Sequence, residues 1–192
     1  DTDLPLVIFG GRMTKQKRPE LLAEIFKAAV EAGLKFHALV IGDGELRPDF
    51  ESLLKKYNLR ESVTTLGSLP HEQWLDALIA SDILLMPSLY EGISISLLES
   101  MAAGVVPIVS DVGGHSEVLD ERTGYLIENS HDNVADYVRS LDLLINSPST
   151  LKSLSVACQQ RISETFSWQK TIVDFEAIIT RAREFIKRRT CQ

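Results

Sequence analysis

Two carboxylates, Glu91 and Glu99, stand eight positions apart in the run Glu91-Gly-Ile-Ser-Ile-Ser-Leu-Leu-Glu99-Ser-Met-Ala-Ala-Gly104. A carboxylate accepts hydrogen bonds from paired sugar hydroxyls, whereas two carboxylates flanking a phosphate would repel it. The spacing therefore suggests hydroxyls at each end and phosphate between. The preceding segment, Asp82-Ile-Leu-Leu-Met-Pro-Ser88, reads as a short buried strand, and Ser96-Leu-Leu-Glu99 reads as the first turn of a helix. Glu91 then lies on the intervening loop. The start of that helix would present unpaired backbone N–H groups and a partial positive charge to a diphosphate, and Gly92 would let the loop backbone approach the ligand. Ser96-x-x-Glu99 is also the pattern of a capping box, in which Glu99 satisfies only the backbone N–H of Ser96. That reading stays open for Glu99; a loop glutamate followed by glycine has no such use at Glu91.

An anion cleft in an acidic chain needs local cations. Gly10-Gly-Arg12-Met-Thr-Lys-Gln-Lys17-Arg18-Pro19 supplies them. Arg12 can fork onto two phosphate oxygens while Lys17 acts as a point charge. By themselves these residues would make an ordinary solvated loop; their pairing with Glu91 and Glu99 is what suggests a site.

The elements that must position these groups alternate strictly. Leu6–Gly10 reads as a buried strand, and Pro19–Ala32 as a helix opened by proline with Leu21, Leu22, Ile25, Phe26 and Ala29 on one face. Strands over Phe36–Ile41 and Ser62–Leu66 alternate with helices over Arg47–Tyr57 and His71–Ile79. The strand at Ile83 leads to the Glu91 loop, the helix Ser96–Ala103 and a strand Pro107–Ser110. Strands that are apolar on both faces need helices on both sides, so the expected class is α/β with a doubly wound, Rossmann-like parallel sheet. Ligands of such sheets bind outside the carboxyl ends of the strands, where Gly10-Gly11, Gly42-Asp-Gly44, Gly67 and Glu91-Gly92 all fall. After Gly124-Tyr-Leu-Ile127 the pattern turns helical, over Asn133–Ile145, Ser149–Phe166 and Trp168 to about Arg188. Ile172, Phe175, Ile179, Ala182 and Ile186 form a stripe on the last helix. Packing on the chain's own body is the first expectation for this stripe, and a separate partner domain the second.

Composition bounds the function classes. The chain has 192 residues, 44% of them hydrophobic, enough for a full core in one domain with a helical appendage. Its formal net charge of −7 divides into +4 on residues 180–192, from Arg181, Arg183, Lys187, Arg188 and Arg189 against Glu184, and −11 on the rest. The body is thus a poor nucleic-acid binder. The basic tail reads first as a solvated helix end, and second as a peripheral contact with acidic membrane surface or a partner. No apolar run approaches the length of a membrane span and no leader pattern opens the chain, which begins at Asp1 as a fragment of a longer chain would. Only Cys158 and Cys191 are present. They make neither a disulfide scaffold nor a four-ligand zinc site, so a cytoplasmic location is expected. The histidines His37, His71, His115 and His131 show no metal-ligand pairing, and Asp1-Thr-Asp3 is the sole Asp-x-Asp.

The chain resembles the C-terminal, donor-binding half of the family 4, GT-B fold retaining glycosyltransferases. GGRMTKQKRPELL, VIGDGELRP and YEGISISLLESMAAGVVPIVSDVGGHSEVL carry the resemblance, with FSW at Phe166–Trp168 as a weaker fourth stretch. The resemblance implies transfer of a sugar from a nucleoside diphosphate sugar, without a metal or other cofactor. It implies that Arg12 and Lys17 hold the diphosphate at the reaction centre and that Glu91 binds the donor sugar's hydroxyls. It further implies donor contacts from Gly11, Leu69, Gly92, Ile93, Ser94, Ile95, Ser96 and Glu99, with Glu99 on the ribose and the base against Gly67-Ser-Leu69. Residues 1–166 would form the nucleotide-sugar domain, and 167–192 a helix packing back toward an N-terminal GT-B domain. The acceptor site would lie mostly on that domain, so the isolated chain should bind donor weakly and transfer little. Ile93-Ser94 stand where the family often has Gly-Phe-Gly-like residues, and His115 follows Gly113-Gly114 where a small or apolar residue is usual. His115 is therefore read as a loop histidine, with contact to the ligand only as the lesser alternative. Two other readings compete: a sugar-nucleotide epimerase of the same fold, for which no acid/base pair is evident, and a non-catalytic nucleotide-sugar-binding or regulatory module. A generic doubly wound domain is the blandest alternative.

Overall fold

The computed structural model describes residues 4–129 and 133–190. Asp1, Asp3, His131 and Cys191 lie outside the described residues, as do the side chains of Glu184, Lys187, Arg188, Arg189 and Thr190. Six strands, β1 (Leu6–Gly10), β2 (His37–Ile41), β3 (Val63–Leu66), β4 (Ile83–Met86), β5 (Val106–Ser110) and β6 (Tyr125–Ile127), form one sheet in the order β3-β2-β1-β4-β5-β6. Every pairing is parallel. Between them run α1 (Pro19–Glu31), α2 (Arg47–Lys56), α3 (His71–Ile79), α4 (Ile95–Ala103) and the four-residue α5 (His115–Val118), followed by α6 (Val134–Ile145), α7 (Pro148–Thr165) and α8 (Trp168–Thr190).

Alternation along the strands builds two cores. Val7 and Phe9 of β1 pack with Leu22 and Phe26 of α1, Phe50 of α2 and Tyr137 of α6. Ile8 points the other way and joins Leu84, Met86, Trp74 and Leu78 of α3, Leu97 and Met101 of α4, and Cys158 of α7. Burial on both faces is what an all-parallel sheet requires. The Tyr137 hydroxyl meets Ser110 Oγ at 2.8 Å, fastening α6 to the end of β5. Burial pushes this phenol up to about 12, against the opposing effect of the Ser110 hydrogen bond.

The strand order reverses direction between β1 and β4, the central pair. Their connections depart to opposite faces, which opens a crevice above their carboxyl ends. The loop after β1 holds Arg12 and Lys17; the loop after β4 holds Glu91. Sheet topology alone therefore brings together groups that are 74 residues apart in sequence.

Two expectations need correction. The apolar stripe of α8 does not pack on the chain's own body: Trp168 is 80% exposed, Phe175 64% and Ile172 56%. His115 is not a loop histidine but a fully buried residue at the start of α5, where its Nδ1 donates to the Ser110 carbonyl at 2.8 Å.

Candidate active site

Lys17 closes a 3-10 turn over Lys15–Lys17, and its Nζ lies 2.7 Å from Glu91 Oε1. Both side chains are largely buried, at 13% and 9% exposure, so this pair is held inside the crevice and not on an open surface. Backbone contacts fix its two loops. The Leu89 N–H donates to the Gln16 carbonyl at 2.7 Å, and Gln16 Nε2 donates to the Tyr90 carbonyl at 3.0 Å. Asn129, just past β6, adds a bond from its Nδ2 to the Leu89 carbonyl at 3.1 Å and accepts Arg18 Nη1 at 3.0 Å. Arg18 has φ +52, a left-handed conformation unusual for a non-glycine residue, and it turns the chain from the 3-10 segment into α1.

Glycines set the remaining close approaches. Gly42 has φ +143, and a Cβ there would stand 1.8 Å from the Gly11 carbonyl oxygen. The loop after β2 can therefore lie directly on the loop after β1, where Gly11 N–H donates to Ile41 at 3.0 Å and Met13 N–H to Asp43 at 2.9 Å. Gly113, with φ +57, backs the Glu91 loop in the same way, since its Cβ would meet the Glu91 carbonyl oxygen at 1.9 Å. Gly114 N–H then donates to Gly92 at 3.1 Å.

The capping reading of Glu99 does not hold. The helix starts at Ile95 with Ser94 as its N-cap, so Glu99 lies a full turn in. Its carboxylate instead accepts Trp74 Nε1 on Oε2 and His71 Nε2 on Oε1, each at 2.7 Å. Ser94 gives no side-chain cap to α4, its hydroxyl meeting Ser96 Oγ at 2.9 Å. No Ser94 side chain thus caps the positive start of α4 beside the Glu91 loop, where the Leu97 N–H donates to the Ser94 carbonyl at 3.1 Å.

Five of the anticipated residues, Gly11, Arg12, Lys17, Leu69 and Ser96, line one cavity of about 490 Å³ together with Gly10, Ile41, Gly42, Asp43, Ser68, His71 and Trp74. Glu91 borders it through Lys17, and Glu99 through His71 and Trp74. Gly92, Ile93, Ser94 and Ile95 are not among its lining residues; they belong to the adjoining loop, where Ile93 and Ile95 are exposed and the Cβ position of Gly92 faces open space. Sequence reasoning missed His71 and Trp74, whose link to the site crosses from α3 to α4 with no motif to announce it. It also missed Gln16 and Asn129, which act through loop carbonyls.

Among the described residues no group of three or more His, Cys, Asp or Glu is placed to hold a metal ion. Cys158 is no nucleophile: desolvation, aided by Asp120, pushes its thiol up to about 12, and its Sγ donates to the Thr123 carbonyl.

A parallel six-strand sheet covered by helices on both faces, with its crevice at the central switch point, is a Rossmann-like domain of the GT-B type. Solved structures share this fold. A mutant of Staphylococcus aureus TarM, crystallised with Fondaparinux, alpha-GlcNAc-glycerol and UDP, matches with a TM-score of 0.82 at 22% identity, over 91% of this chain and 35% of that one. Sucrose-phosphate synthase from Thermosynechococcus elongatus matches at 0.81 and 24% identity, over 96% and 47%. The sequence profile of the family described as "Glycosyl transferases group 1" matches residues 1–161, and the chain belongs to that family. Curated relatives include a phosphatidylinositol N-acetylglucosaminyltransferase subunit of Arabidopsis thaliana, 28% identical over 94% of this chain and 39% of its own length. A glycogen synthase of Bacillus cereus is 27% identical over 92% and 38%. The chain thus spans well under half the length of these relatives.

Proposed function

We propose that the chain is the donor-binding half of a family 4, retaining glycosyltransferase that moves a sugar from a nucleoside diphosphate sugar to an acceptor. The observation that carries this reading is the buried Lys17–Glu91 pair at the switch point, where Lys17 lines the same cavity as His71 and Trp74, the two residues that hold Glu99. Arg12 and Lys17 would hold the diphosphate with the N–H groups that start α4. As the bond from the sugar's anomeric carbon to the diphosphate breaks, the electron pair leaves with the phosphate oxygen, where these fixed positive groups stabilise it without a metal. Glu91 would orient the donor sugar through its hydroxyls, and Glu99 would accept from the ribose. Glu91 and Lys17 hold each other at 2.7 Å, so the sugar and diphosphate would insert between them or share them.

The acceptor side would come from a second domain of a longer protein. The relatives' greater length supports this, as does the exposed apolar stripe of α8, which we assign to contact with that domain. Relatives named for a phosphatidylinositol and for glycogen differ in acceptor while matching this segment, as expected if acceptor choice lies elsewhere.

The test is a thermal-shift titration, without added metal, of the chain and of the full-length protein against uridine, guanosine and adenosine diphosphates and their sugar conjugates. Stabilisation by one base series is expected, larger in the full-length protein. A lack of response to every ligand in both forms would remove the reading.

A further inference from the structure

The Glu99 carboxylate, proposed above to accept from the ribose, is held on both of its oxygens. Each carboxylate oxygen already has a protein donor, and both donors come from α3: His71 Nε2 on Oε1 and Trp74 Nε1 on Oε2. His71 and Trp74 are three residues apart on one helical face, and α3 packs against α4. The two donors are not equivalent. His71 is largely exposed, its side chain at 67%, whereas Trp74 is buried beneath the first strand. A Cβ on Gly10 would stand 2.3 Å from the indole Cη2 and 2.4 Å from Cζ3, so the six-membered ring packs directly against that glycine while its N–H reaches Glu99.

A glutamate side chain has three torsions, and an unrestrained one would lose them on binding a ligand. With one donor per oxygen, both the position and the plane of the Glu99 carboxylate are set beforehand. A carboxylate accepts about four hydrogen bonds. Two acceptor sites therefore remain, one on each oxygen, which is the arrangement that two adjacent hydroxyls would fill. Both His71 and Trp74 also line the cavity.

We propose that Trp74 and His71 are positioning residues that make Glu99 a rigid two-point acceptor for the vicinal diol of a ribonucleotide, so that the site selects ribose over deoxyribose. This rests on the assignment of Glu99 to the ribose made above. A purely structural stitch between α3 and α4 would affect stability but would leave sugar selectivity untouched.

The experiment compares, by calorimetric titration of the full-length protein, each nucleoside diphosphate with its 2′-deoxy counterpart, using the uridine, guanosine and adenosine series. The wild type is expected to prefer the ribonucleotide by about tenfold or more, the scale of one hydrogen bond to a charged group. Trp74→Phe, which keeps an aromatic ring but removes the N–H, should bring that preference to within about threefold while the deoxy ligand binds as before. His71→Ala should lower it in part, and His71→Gln, which restores a donor, should recover it. His71 is exposed, so its variants carry the test should Trp74→Phe not fold. If the variants keep the full wild-type preference, the positioning role is overturned while the donor-site reading stands. A wild type that binds nucleoside diphosphates without preferring ribose overturns the Glu99 assignment and this proposal with it. A wild type that binds none overturns the donor-site reading as well.

Discussion

At the scale of single residues, the charges of the crevice are not equivalent. Arg12 is exposed on the cavity wall, whereas Lys17 is engaged by Glu91 at 2.7 Å. Arg12→Ala should therefore remove a charge-assisted phosphate contact and weaken nucleoside diphosphate binding by about 1.5–3 kcal/mol in calorimetry. Glu91→Gln should separate the two ligands. It removes a negative charge beside the diphosphate and frees Lys17, so bare nucleoside diphosphate should bind as well or a few-fold tighter; the sugar nucleotide should lose about tenfold or more. Equal weakening of both would take Glu91 away from the sugar. The types and spacing of these residues were legible in the sequence because loop cations and loop carboxylates follow strand ends. The Lys17–Glu91 contact itself was not, since no local pattern encodes a pairing across 74 residues. Glu99 shows the opposite failure: a local pattern, Ser-x-x-Glu, pointed to a cap that Ser94 displaces by starting the helix one residue earlier than expected.

At the scale of elements, the sheet was readable because its strands are buried on both faces and its helices carry apolar stripes. Alternation of the two then leaves few topologies. The short α5 was not readable, since four residues carry no periodicity. Its role becomes visible only in three dimensions: His115 braces the turn after β5, and Gly113 lets that turn lie against the Glu91 loop. Gly113→Ala tests this arrangement. The left-handed φ costs an L-residue about 1–2 kcal/mol, before the added methyl meets the Glu91 carbonyl oxygen at 1.9 Å. We expect a loss of at least about 2 kcal/mol in urea unfolding, and sugar-nucleotide affinity reduced more than bare diphosphate affinity, because the displaced loop carries Glu91 and not Arg12. A variant with unchanged unfolding and unchanged ligand ranking would mean that the loop after β5 is a bystander.

At the scale of the whole molecule, α8 sets apart the last part of the chain. The body is closed: both faces of the sheet are covered, and α7 already seals one of them through Cys158 and Ile162, with Phe166 at its end. Trp168, Ile172, Phe175 and Ile179 line one side of α8 and remain exposed. A helical stripe was correctly legible in the sequence, but its partner was not, because periodicity reports that a face wants burial without saying against what. A stripe covered by another domain of a longer protein makes a differential prediction. Phe175→Asp should leave the stability of the isolated chain within about 0.5 kcal/mol, as exposed substitutions do. In the full-length protein the same change would force a carboxylate into an apolar contact and forfeit a buried aromatic ring, lowering stability by about 2 kcal/mol or more. Paired urea unfolding of the two forms separates the alternatives. A comparable loss in the isolated chain would place the stripe against its own body, whereas no loss in either form would leave α8 without a role in joining domains.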